Sequence, residues 1–90
     1  MNLHDYLNSP DAMAITALAA AIGIKNVAQL RQWQHGYAGR IPGPENCVAM
    51  EQVTNGAIRR WDLRPSDWHL IWPELIGVEG APAVPAPQEA

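Results

Sequence analysis

Glycine, proline and one Asn-Gly pair recur so regularly that only short regular segments fit between them, and the residues bordering the breaks are those that start and stop helices. Ser9, Pro10 and Asp11 stand as N-cap, first residue and dipole-stabilised anion of a helix that Gly23 closes. Asn26 caps the next, and Gly36 ends it. Pro44 starts a helix that runs to about Thr54, where Asn55 and Gly56 stop it. Pro65 opens the last, which ends around Pro73. A short helix over 3–7 precedes them all, and "AIRRW" reads as an extended connector. No strand run is long enough to build a sheet. The expectation is an all-α fold, a compact five-helix domain.

Apolar residues make up 48 % of the chain and include Trp33, Trp61, Trp68 and Trp72, enough for one core without a metal or a disulfide. The single cysteine, Cys47, excludes an internal disulfide and any zinc site built on paired thiolates, and His4, His35 and His69 are scattered. Neither metal nor cofactor is expected. Nor is an enzyme, since Asp67 with His69 is the closest approach to a catalytic pair and no nucleophile accompanies it. Ile15, Leu18 and Ile22 form one buried stripe, Val27, Leu30 and Trp33 a second, and Cys47, Met50 and Val53 a third. Trp68, Ile71, Trp72 and Leu75 fall at i, i+3, i+4 and i+7. They cover the core, or else Trp68, Trp72 and Leu75 anchor a dimer or partner surface. Beyond Gly77 the sequence "VEGAPAVPAPQEA" has little to bury, which divides the chain into a domain over 1–76 and a disordered tail over 77–90. No apolar run reaches membrane-spanning length and no leader pattern opens the chain, so a soluble, cytoplasmic protein is expected.

The net charge of −3 argues against a nucleic-acid partner until its distribution is followed. Residues 1–24 carry only Asp5 and Asp11. From Lys25 to Arg60 five cations face Glu45 and Glu51, and from Trp61 onward Arg64 stands against five acids. A basic middle between acidic ends can steer one face towards a polyanion.

That basic middle contains "LRQWQHGYAGRIPGPENC". At about 100° per residue, a helix over 27–35 that buries Val27, Leu30 and Trp33 turns Ala28, Gln32 and His35 outward, with Gln29 and Arg31 flanking them. Glutamine can pair with the adenine edge and arginine with the guanine edge in the major groove, while alanine packs on a thymine methyl. Ala28, Gln29, Arg31, Gln32 and His35 are therefore candidate base readers. Lys25 and Asn26 at the helix start, with Tyr37 and Arg40 in the loop behind it, suit phosphate oxygens. From residue types alone, an ordinary solvated helix face reads equally well. What separates the two is spacing: Ala19, Gly23, Leu30 and Trp33 fill the small-residue, turn-glycine and two anchor positions of a helix-turn-helix, with one extra residue between Gly23 and Leu30.

With "RQWQHG", "PGPENCVAMEQVTNGAI" and "WDLRPSDWHLIWPEL" in place, the chain from about Leu3 to Leu75 resembles the Cro/CI-type helix-turn-helix regulators of prophages, specifically the small YdaS-like antitoxin family. The resemblance implies a repressor that binds a palindromic operator near its own gene as a homodimer, with the turn at 23–26 and the reading helix at 27–35. The chain departs from the commoner pattern in its longer turn and in Gly43, where serine is common before "PEN". An alternative function is an antitoxin or protein-interaction module that neutralises a toxin, or binds a prophage regulator, through the last helix and acidic tail.

Overall fold

Leu18, Leu30, Cys47, Met50, Ile58 and Trp68 are fully buried, and short helices close around them. The computed structural model describes residues 1–85. Among these, six α-helices follow one another: α1 (Leu3–Leu7), α2 (Ile15–Ala21), α3 (Val27–His35), α4 (Pro44–Val53), α5 (Arg60–Leu63) and α6 (Trp68–Ile71). Single 3-10 turns lie at Tyr37–Gly39 and Pro73–Leu75, and no described residue forms a strand. The fold is all-α, with one more helix than expected.

The link between α2 and α3 follows from its backbone chemistry. Gly23 adopts φ 81°, where a side chain would be strained. Its N–H donates to the Ala20 carbonyl at 3.2 Å, and that of Ile24 donates to Ala19 at 2.9 Å. This paired closure satisfies carbonyls that the helix end would otherwise leave open. Asn26 then caps α3, its side-chain oxygen accepting the Ala28 N–H at 2.9 Å, and Gly36 ends it in the left-handed region. The longer turn ends at Asn26, and α3 has the bounds expected of it, Val27–His35.

Four expectations need correction. First, α2 begins at Ile15, not Pro10. The Ser9 hydroxyl donates back to the Tyr6 carbonyl at 2.8 Å, and the Met13 N–H is taken by the Tyr6 hydroxyl at 3.0 Å, so this segment closes α1. Second, Val53 is exposed and Thr54 is buried in its place. Thr54 lies about 20° from Cys47 around the helix, whereas Val53 lies about 120° away. Its hydroxyl donates to the Met50 carbonyl and accepts the Ile58 N–H at 3.1 Å, so the buried oxygen is satisfied.

Third, the connector is helical over Arg60–Leu63. Asp62 accepts the Arg59 N–H at 2.9 Å and Glu51 accepts the Arg60 N–H at 3.1 Å, so two carboxylates cap a helix one turn long. Fourth, the final helix is split. After α6, Pro73 lacks the N–H that would continue it, and the chain tightens into the 3-10 turn. Trp68, Trp72 and Leu75 are nonetheless buried, with the Trp61 and Trp68 rings edge-to-face at 5.9 Å.

Of the segment expected to be a tail, residues 77–85 are described and 86–90 lie outside the described residues. The Ala81 N–H donates to the Val78 carbonyl at 2.9 Å, and Ala81 packs against the core.

Candidate nucleic-acid interface

Because Leu30 anchors α3 from inside, with Val27 and Trp33 half-buried beside it, the opposite side of the helix faces solvent. Ala28, Gln29, Arg31 and His35 are exposed and Gln32 is half-buried. The loop beyond the helix then doubles back. Gly36, Ala38 and Gly39 have φ of 64°, 53° and 70°, a succession of left-handed residues that reverses the chain within a few positions. Tyr37 and Arg40 are thereby carried to the outer side of α3. Ala28, Arg31, Gln32, His35 and Tyr37 line one shallow depression of about 410 Å³.

Within this group the Arg40 guanidinium donates through Nη1 to Gln32 Oε1 at 2.8 Å. It also lies 5.9 Å from the centre of the Tyr37 ring, at the edge of cation–π range. The His35 ring meets that of His4 at 5.8 Å, edge to face, a contact between α1 and α3 that the sequence separation of these residues concealed. Lys25 and Asn26 are exposed at the start of α3. Asn26 uses its side-chain oxygen on the cap, and its amide donors are free for another partner. Gln29 is exposed but lies outside the depression.

The cations divide into two sets. Lys25, Arg31 and Arg40 form no ion pair with any described acid. By contrast, Arg59 and Arg60 both face Glu51, at 4.0 and 3.2 Å, and Arg64 grips Asp67 at 2.7 Å. Arg59 and Arg60 also lie over Trp61 and Trp72, 4.8 and 5.3 Å from the ring centres. At the C-terminal end of the basic region, then, two arginines share the one carboxylate of Glu51, whereas the cations around α3 have no described acid beside them.

Other singled-out residues serve the scaffold. Arg64 binds Asp67 with two donors, Nε at 3.0 Å and Nη2 at 2.7 Å, and gives Nη1 to the Pro42 carbonyl at 2.7 Å. The hydrogen bonds from Arg64 hold the Asp67 carboxyl below its usual range. Asp62 accepts the Arg59 N–H and pairs with the N-terminal ammonium at 2.9 Å. Burial pushes the Cys47 thiol up to about 11, so at neutral pH it is a protonated core group rather than a nucleophile. Trp68, Trp72 and Leu75 lie in the core, with little of their surface exposed. Leu70 and Ile76, with Val78 beyond them, are apolar and face solvent at this end. No group of three or more His, Cys, Asp and Glu side chains among the described residues is arranged to hold a metal ion, and no helix among them is long and apolar enough to cross a membrane.

These features define a small all-α protein whose α3 carries an exposed, polar face. Residues 14–71, from the residue before α2 to the end of α6, match the model of a family described as bacterial toxin YdaS. The chain belongs to that family. Its description speaks of a toxin, not of the antitoxin that the resemblance implied. No curated protein matches the chain.

Proposed function

We propose that the protein binds double-stranded DNA through α3 and the loop behind it, and regulates transcription as a homodimer on a palindromic operator near its own gene. One observation carries this reading: Ala28, Arg31, Gln32, His35 and Tyr37 share one exposed depression, and Lys25, Arg31 and Arg40, the three cations nearest it in sequence, have no acidic partner among the described residues. Planar polar side chains, Gln32 and His35 able to donate and accept and Arg31 to donate, placed on a helix narrow enough for the major groove, suit base edges, and cations without an acidic partner suit phosphates. A two-fold operator would let two copies add their half-site contacts. The test is a mobility shift with the DNA upstream of the gene, competed with scrambled duplex. Equal competition by the two duplexes would sink the sequence-specific reading.

Family membership supports a second reading more directly than the first: the chain works within a toxin–antitoxin pair by binding a protein. The surface for it would be the exposed Leu70 and Ile76, in place of the buried tryptophans. Induced expression separates the readings. Growth arrest that is lost when Gln29, Arg31 and Gln32 are replaced by alanine assigns the effect to DNA. Arrest that survives these changes but disappears with Leu70→Asp and Ile76→Asp assigns it to a protein partner.

A further inference from the structure

Arg40 was expected to grip phosphate, yet its guanidinium is engaged by the very residue expected to read a base. Arginine carries donors only, so the Gln32 atom facing Nη1 at 2.8 Å must be the carbonyl oxygen. The orientation of the amide is thereby set: Oε1 is held by Arg40 and the Nε2 donors are left for another partner. Tyr37 flanks the same guanidinium at 5.9 Å and lines the same depression as Gln32. The left-handed backbone at Gly36, Ala38 and Gly39 is what delivers both residues to this place.

We propose that Arg40 is a positioning residue: it fixes the Gln32 amide as a hydrogen-bond donor towards the DNA, and so determines base preference at the position Gln32 reads. The inference rests on the DNA-binding reading and makes it specific. A glutamine turned this way favours edges rich in acceptors, the N7 and O6 of guanine or the N7 of adenine, and disfavours cytosine, which presents an N4 donor. A phosphate grip and a positioning role differ in what they require of residue 40. Phosphate needs only a positive charge, which lysine supplies. Holding one carbonyl oxygen through Nη1 from beside a tyrosine ring depends on the reach and planarity of the guanidinium, and the lysine ammonium, one bond shorter and not planar, does not reproduce them.

The experiment has two arms, both on the full chain. In the first, the side-chain amide protons of Gln32 are followed by NMR in the free protein. They should stand away from the positions of a solvated glutamine and move towards them in Arg40→Lys and Arg40→Ala, with the α3 backbone signals unchanged. Gln32 signals that ignore both replacements would show that the contact does not hold the amide, and would overturn the proposal without reference to DNA. In the second arm, parent and variants select from a pool of randomised duplexes. Gln32→Ala should flatten the preference at one base pair by about 5- to 150-fold. Arg40→Lys should flatten the same position while keeping the salt dependence of the parent, and the double variant should lose no more than either single one. Gln32→Glu keeps an acceptor for Arg40 but removes the donors, so it should shift that position towards cytosine. An Arg40→Lys profile identical to the parent's overturns the positioning role alone, as does an Arg40→Ala variant that weakens all sequences equally and lowers the salt slope by about one. A parent that enriches no sequence overturns the DNA reading itself, and the proposal with it.

Discussion

The face of α3 and the tryptophan-rich end of the molecule use the same residue types to opposite ends. Around α5 and α6, Arg59 and Arg60 share Glu51, Arg64 pairs with Asp67, and Trp68, Trp72 and Leu75 are buried. Around α3, Lys25 and Arg31 have no acidic partner among the described residues and Arg40 holds a neutral amide. A charge matched inside the fold stabilises the fold. One left unmatched on a helix surface does little for stability, and is free to meet charge that arrives from outside. The contrast therefore predicts that stability and binding separate along the chain.

The largest expected effect is on the scaffold side. Trp68→Ala empties a fully buried site and should cost about 3–5 kcal/mol, close to the whole stability of many small domains. Chemical denaturation followed by circular dichroism would measure it, and a loss below about 1 kcal/mol would break the scaffold half of the comparison. Arg64→Ala comes next, at about 1.5–3 kcal/mol, because it frees both the Asp67 carboxylate and the Pro42 carbonyl. This pair also has a pH signature. Since Asp67 titrates below its unfolded value near 3.8, its contribution is complete above that value and disappears as pH falls through the lowered one. Below about pH 4 the parent should therefore lose stability more steeply than Asp67→Asn, as a series of acid denaturation curves would reveal.

On the α3 side the sizes reverse. Gln29→Ala or Arg31→Ala should cost roughly 1–3 kcal/mol on the operator, and a thermal melt should show stability within about 0.5 kcal/mol of the parent. A stability loss equal to the binding loss would blur the two regions into one. Lys25→Ala should weaken operator and random DNA alike and lower the salt slope by about one. The smallest effect belongs to a residue that touches both roles. Asn26→Ala removes the cap of α3 and should cost about 1 kcal/mol of stability, while Asn26→Asp keeps an acceptor there and should recover most of it.

Much of this division is legible in the sequence. Asn26 as cap, Gly36 as stop, Leu30 as anchor and the outward set from Ala28 to His35 all follow from local rules acting within one turn of helix. The errors share a different origin. Ser9 satisfied the local rules for a helix start, but Tyr6 engages both Ser9 and the Met13 N–H, and α2 starts later. The connector lacked a helical signature because one of the carboxylates that cap α5 belongs to Glu51, back in α4. The tryptophans of the last segment satisfied the spacing rule for an apolar stripe, which is silent on whether core or solvent lies opposite.

The sequence by itself determined that the chain is helical, where most helices stop, and which side chains α3 turns outward. These properties depend on backbone conformation and a period of 3.6 residues, both short-range. Only the tertiary structure decided which cations remain unpaired, that His4 meets His35, and that Arg40 returns across eight residues to hold Gln32. Such pairings depend on where packing places separate segments, and charges that belong to the same basic stretch of the chain, such as Arg40 and Arg59, can end with entirely different partners.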